Sequence, residues 1–174
     1  MKHRFFVALP VSGTLASAVA EWRERYARLP VRWLKDKDLH LTLVPPWYAE
    51  DPAPVIAELE RLRGRGKISA EFRRVGYGPN VREPRLIWAE GPVPAGLPEL
   101  QAEALRLAGQ PAERRPLRLH ITLARFRPEN FPGLPVKRLE DEVRWPEEFA
   151  AVALMEAHLS PSGADYEILK EIRL

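Results

Sequence analysis

Three observations predict an α+β fold built mostly on antiparallel sheets. Apolar stretches of strand length alternate with amphipathic segments of helical spacing. Many of the connections between strands are short and rich in Gly, Pro, Ser and Asn, as in hairpins. The chain has 174 residues, 45% apolar and 29% charged, enough to bury a sizeable core in one domain or in two lobes sharing one.

The elements follow in order. Arg4–Leu9 reads as a buried strand. Ser12 is placed to cap a helix whose stripe is Leu15, Val19, Trp22, Tyr26 and Leu29, and Pro30 ends it. Arg32–Leu34 reads as a short strand, and Leu39–Val44 alternates as a strand with two unlike faces. Asp51-Pro52 opens a second helix with Val55, Leu59 and Leu62 on one side, closed by Gly64. Lys67–Val75 and Arg85–Ala89 are strands joined through Gly76–Asn80. Gly91–Pro98 is a connector, and Glu99–Ala108 is a third helix with Gly109 just past its end. Leu117–Ala124 alternates again, and Glu129–Pro135 reads as a loop. Phe149–His158 and Tyr166–Leu174 close the chain as strands around Ser160-Pro161-Ser162-Gly163.

Composition excludes several function classes. There is no cysteine, hence no disulfide framework, thiolate nucleophile or Cys-based metal site. No apolar run is long enough for a membrane span. Of the basic residues, 21 are Arg and 6 are Lys, and Arg suits bidentate phosphate contacts. Residues 1–87 carry a net +6 and residues 88–174 a net −3. Lys2-His3-Arg4 before Phe5–Leu9, with Ala16-Ser17-Ala18 beyond, has the outline of a secretory signal. Cleavage after Ala18 would cut the first helix in two, so a cytoplasmic protein is expected.

The chemistry sits in a repeat. Leu39-His40-Leu41-Thr42-Leu43 and Leu119-His120-Ile121-Thr122-Leu123 are nearly one pentapeptide, 80 residues apart. On a strand, His40 and Thr42 share one face and Leu39, Leu41 and Leu43 the other, and the second copy behaves alike. If the two halves pack as a pseudo-dimer, the imidazoles face each other across a groove. An unperturbed imidazole titrates near pH 6.5, so one can be neutral while the other is charged. That pair can move protons at both ends of an in-line displacement at phosphorus. The hydroxyls can bond non-bridging phosphate oxygens, where charge accumulates. A two-histidine zinc site would want a third ligand, and none stands at motif-like spacing. Neither metal nor cofactor is expected.

These paired motifs resemble the two-histidine (2H) phosphoesterase superfamily, and within it the bacterial and archaeal RNA 2′,3′-cyclic phosphodiesterases, also called 2′-5′ RNA ligases. Arg4–Pro10 resembles the family's opening strand, His40-Leu41-Thr42-Leu43 its first motif and His120–Arg125 its second. Ser160–Leu169 resembles its closing hairpin, with Gly163 and Tyr166 in place. The resemblance implies one 2H phosphoesterase domain over residues 1–174, bilobal, with two mostly antiparallel sheets and outer helices lining a central cleft. Each lobe would carry one motif, and the chain would act as a monomer. It implies opening of a 2′,3′-cyclic phosphate at an RNA end to a 2′-phosphate, with ATP-independent joining to a 5′-hydroxyl as the reverse-type reaction. His40 would be the general acid towards O3′ and His120 the base for water. Thr42, Thr122 and Arg125 would hold the phosphate. In the first motif Pro45 stands where Arg125 stands in the second. An ideal strand would turn Arg125 away from His120, so the strand must end or twist near Ala124. Val44-Pro45-Pro46-Trp47-Tyr48 departs from the family's usual segment after the first motif.

Other residues carry open alternatives. Trp47 and Tyr48 either stack a base or pack a surface loop. Phe5 and Phe6 are expected in the core, with one ring able to reach the cleft. Arg61, Arg63, Arg65, Lys67, Arg73 and Arg74 either guide an RNA strand or form a solvated face. His158 is expected to be structural and His3 a solvated terminal residue. Two other functions stay open beside the RNA-end reading. One is an esterase on small cyclic nucleotides, and the other is a nucleotide- or RNA-binding module without turnover.

Overall fold

The computed structural model describes residues 1–174. Nine strands form two sheets, accompanied by three α-helices. The strands are β1 (His3–Pro10), β2 (Arg32–Trp33), β3 (His40–Ala49), β4 (Ile68–Gly78), β5 (Leu86–Gly91), β6 (Leu119–Arg125), β7 (Glu140–Phe149), β8 (Ala151–Ser160) and β9 (Gly163–Arg173). The helices are α1 (Gly13–Glu24), α2 (Ala53–Leu59) and α3 (Leu97–Leu107). The first sheet runs β3-β1-β8-β9 and the second β2-β6-β5-β4-β7, with every strand pair antiparallel. No helix is long and apolar enough to cross a membrane.

The α+β expectation with antiparallel sheets is met. Ser12 caps α1 by accepting a hydrogen bond from the Leu15 amide at 3.1 Å. Leu15, Val19 and Trp22 are buried along its inner side, and the last turn loosens before Leu29. Leu97, Leu100 and Ala104 seat α3 beneath β3, and Gly109 closes it at φ +65°. One buried cluster draws on both sheets, among them Leu9, Leu41, Leu43 and Leu154 of the first and Phe72, Ile87, Ile121 and Phe149 of the second.

Three elements differ from those read in the sequence. β3 does not stop at Val44; it runs on through Pro45 and Pro46 to Ala49. It is an edge strand, where a residue without an N–H is tolerated. The segment after the first motif is therefore strand and not loop. Trp47 lies opposite Phe5 in an edge-on contact at 6.3 Å and packs on the core, while Tyr48 points to solvent. β4 likewise extends through Gly76-Tyr77-Gly78, and the turn falls after it.

β7 is an addition to the elements expected from periodicity. Its inward positions hold Asp141, Val143, Trp145, Glu147 and Phe149, so charges interrupt the apolar alternation. Those carboxylates are acceptors for neighbours: Asp141 for Trp22 Nε1 at 2.9 Å and Tyr26 Oη at 2.7 Å, Glu147 for the Ser12 amide at 2.7 Å. Buried polar atoms need such partners, and here they belong to α1, its N-cap and the turn that follows it, more than a hundred residues away.

The basic stretch is neutralised within the chain. Arg61 pairs with Glu58, Arg63 with Glu60, Arg65 with Glu103, Lys67 with Glu148, Arg73 with Glu71 and Arg74 with Glu140. This is the solvated-face alternative, with no free guanidinium track for a nucleic acid.

Candidate active site

β3 and β6 lie beside each other where the two sheets meet, and each brings one copy of the repeat. His40 and Thr42 are half-buried between the buried Leu41 and Leu43. His120 and Thr122 are half-buried between Leu119, Ile121 and Leu123. The face of the first sheet that carries His40 also carries Phe6, Ala8, Ala153, Met155 and Ala157, a small apolar patch separate from the main core.

A bulge follows each motif at the same place. Ala8 pairs with Thr42 but Val7 with Val44, which leaves Leu43 as the extra residue of β3. Trp88 pairs with Thr122 but Ile87 with Ala124, which leaves Leu123 extra in β6. An extra residue shifts the side-chain alternation by one. Leu123 and Ala124 are both buried in succession, and Arg125 returns to the face of His120 and Thr122. This resolves the parity problem posed by the sequence. The carbonyls displaced from the ladder find donors elsewhere: Leu43 O from Gln101 Nε2 at 3.2 Å, Leu123 O from the Leu34 amide at 2.9 Å.

The two imidazoles are oriented in the same way. His40 Nδ1 lies 2.6 Å from the Asp38 carbonyl and His120 Nδ1 lies 3.4 Å from the Arg118 carbonyl. A carbonyl only accepts, so each Nδ1 carries the proton and each Nε2 is left to react. Aromatic rings hold the imidazoles from the side. Phe6 sits 5.1 Å and Tyr166 5.2 Å from His40, the latter edge-on at 90°. Trp88 sits 5.0 Å from His120, and the Arg118 guanidinium lies over Trp88 at 5.7 Å. Trp88 lies flat on Gly78, where a Cβ would come within 2.5 Å of the indole.

Burial pushes the His40 pKa from 6.5 down to about 4, and the charges of Arg125 and His120 push the same way. The Asp38 carbonyl opposes them by bonding Nδ1–H. Burial also lowers His120, aided by Arg118 and Arg125. Arg125, on the face of His120 and Thr122, thus disfavours the charged form of both imidazoles. With no anion bound, both histidines are neutral near pH 7, and the site attracts negative charge through Arg125.

The structure therefore brings His40, His120 and Arg125 together and sets Thr42 and Thr122 on the faces of their histidines. Phe6 presents its ring to the site, whereas Phe5 is in the core. Trp88 and Arg118 were not singled out from the sequence. The alternation of β5 places Trp88 on one face, but a strand buried on both faces does not reveal which one meets a site. Tyr166 is brought in by the β8–β9 hairpin, whose far end is tied to the β2 segment. Arg32 donates to the Ala164 carbonyl, and Lys37 Nζ donates to Asp165 at 3.1 Å and to the Tyr166 carbonyl at 2.9 Å.

Fold and paired motifs resemble those of two-histidine phosphoesterases. Residues 7–88 match the family model described as LigT like Phosphoesterase, a span that includes His40 and Thr42. Solved structures match over the whole chain. The Thermus thermophilus protein TT0787 is 25% identical, with a TM-score of 0.77, covering 98% of this chain and 97% of that one. E. coli LigT complexed with NADP+ is 22% identical, with a TM-score of 0.75 and coverage of 100% and 99%. The same protein complexed with 3′-AMP is 23% identical, with a TM-score of 0.74 and coverage of 100% and 99%. No curated protein sequence matches the chain. The resemblance to the two-histidine phosphoesterases read from the paired motifs is borne out by the family model over residues 7–88, and the solved structures show the same fold over the whole chain. The family match over residues 7–88 supports a phosphoesterase activity in general.

Proposed function

We propose that the protein opens 2′,3′-cyclic phosphates at RNA ends to 2′-phosphates by metal-independent acid–base catalysis. The observation that carries this reading is the pair of inward His-x-Thr ribbons, each with Nδ1 held by a carbonyl two residues back and Nε2 free. His120 Nε2 takes a proton from water as its oxygen attacks phosphorus. The P–O3′ bond breaks, and His40, charged once the anionic phosphate lies beside it, delivers its Nε2 proton to O3′. One P–O bond forms as the other breaks, and the phosphate is left on O2′. Thr42, Thr122 and Arg125 hold the non-bridging oxygens through the transition state. A 5′-hydroxyl attacking in place of water gives the reverse-type joining without ATP.

A nucleotide ligand is consistent with the NADP+ and 3′-AMP complexes of E. coli LigT. Both histidines come from one chain, so one copy supplies the whole catalytic pair, which supports action as a monomer. An RNA-end substrate fits a cytoplasmic protein. The test is incubation with an RNA bearing a 2′,3′-cyclic end, with and without EDTA, at a temperature where circular dichroism shows the chelated protein folded. Conversion to a 2′-phosphate in both arms is expected. A 3′-phosphate product, binding without turnover, or activity lost to EDTA and restored by a divalent ion would overturn the reading. Equal or faster opening of a cyclic mononucleotide than of the oligomer would point to small cyclic nucleotides as substrates.

A further inference from the structure

His3, Glu156, His158 and Glu167 meet on the first sheet, on the face turned away from His40. Glu156 pairs with Phe5 across β1 and β8, and Phe5 belongs to the main core, whereas Phe6 faces His40. His3 Nδ1 lies 2.6 Å from Glu156 Oε1. His158 Nδ1 lies 3.9 Å from the same oxygen, and His158 Nε2 lies 3.1 Å from Glu167 Oε2. Ligand atoms of Glu156, His158 and Glu167 all fall within 4.8 Å of one another. The His3 ring is held by stacking on Phe5 at 5.9 Å and 9°.

We propose that Glu156, His158 and Glu167 bind a divalent transition-metal ion that clamps β8 to β9 and, through the hydrogen bond of His3 to Glu156, holds β1 beside them. Two independent features support it. Glu156 and Glu167 stand directly opposite each other in the β8–β9 ladder, an arrangement that like charges destabilise. The Glu156 side chain is only 13% exposed, so water does little to screen the repulsion. Moreover, in a chain with 27 Lys and Arg, the charged partners of these two carboxylates are imidazoles alone. One imidazole nitrogen with two carboxylate oxygens, and water completing the shell, suits Zn²⁺ or Co²⁺. Ca²⁺ and Mg²⁺ prefer oxygen-only shells with more ligands. The ion is structural: it fixes the first residues of β1 against the closing hairpin and takes no part in the chemistry at His40 and His120. It also revises the reading of His3 as a solvated terminal residue.

The experiment uses tag-free protein stripped with chelator and titrated with Co²⁺, read by visible absorption, and with Zn²⁺, read by calorimetry and Tm. One equivalent should bind, with the visible band of a four-coordinate cobalt site and a higher Tm. His158 and Glu167 are 51% and 62% exposed, so His158→Ala and Glu167→Gln should fold normally. Each should weaken binding at least as much as the roughly 10–100-fold typical of losing an outer-shell partner. The His40→Ala/His120→Ala double variant should still bind one equivalent. No cobalt band together with no change in Tm would overturn the proposal. So would undiminished binding in the His158→Ala/Glu167→Gln variant, or binding lost with the catalytic pair.

Discussion

Inorganic phosphate bound between the two imidazoles should raise the pKa of His40 sharply. In the free protein that pKa falls from 6.5 to about 4, mainly through burial. At about 1.4 kcal/mol per unit, charging His40 in the empty site costs on the order of 3 kcal/mol more than in water. An opposite charge within ~4–6 Å recovers about 1–3 units, enough to return the pKa towards neutral pH and favour the charged imidazolium. The assay is an NMR titration of the His40 ring carbons, free and saturated with phosphate. A free midpoint near 4 and an upward shift on binding are expected. In kinetics, both limbs of kcat/KM, which report the free enzyme, should lie below 6.5, and both should rise in kcat. The same depression makes the fold acid-sensitive. The unfolded chain binds this proton more readily than the folded one, so the His40 contribution is intact above pH 6.5 and is lost as pH falls towards 4. A free His40 that titrates at 6.5, or one that phosphate leaves unmoved, would refute the proposed geometry of charge.

Replacing His40 or His120 by Ala should each cost about 10²–10⁴-fold in rate, and the double variant much less than the product of the two. A substrate with a good leaving group at O3′ should rescue His40→Ala and leave His120→Ala impaired; the opposite result would exchange their roles. Arg125→Gln should weaken phosphate binding by about 1.5–3 kcal/mol, read as a higher KM, and raise both histidine pKa values, since Arg125 lowers each. Gly78→Ala sets a Cβ 2.5 Å from Trp88 and should cost about 1–3 kcal/mol in stability. Combining it with Trp88→Leu should return much of that Tm, whereas an unchanged Tm in the single variant would mean the indole does not need the glycine.

Local pattern carried a large part of the fold. The stripe from Leu15 to Trp22, with Ser12 ahead of it, specifies α1 because capping and helical period act within a few residues. The alternation around His40 and His120 specifies two ribbons with one polar face each, because the strand period is local too. The repeat also singled out the candidate site residues, since two copies of one motif need no tertiary knowledge to be seen. What local pattern does not contain is register. Whether Arg125 faces His120 depends on the extra residue Leu123, and that bulge exists only against Ile87 and Trp88 on β5. β7 is hidden because its inward Asp141 and Glu147 are satisfied by Trp22, Tyr26 and Ser12, partners supplied by packing.

The surroundings of the site have the same origin. Phe6, Tyr166 and Trp88 each reach an imidazole from another strand, so their roles are fixed by which strands pair and not by their neighbours in the chain. His3 and His158, unremarkable in sequence, are joined to Glu156 and Glu167 by the pairing of β1, β8 and β9. The sequence by itself determined the two histidines, their threonines and the faces they share, because strand and helix periods are set within a few residues. The tertiary structure decided how those faces meet, what tunes the imidazoles and where Arg125 points, because ladder register and burial are properties of contacts between segments far apart in the chain.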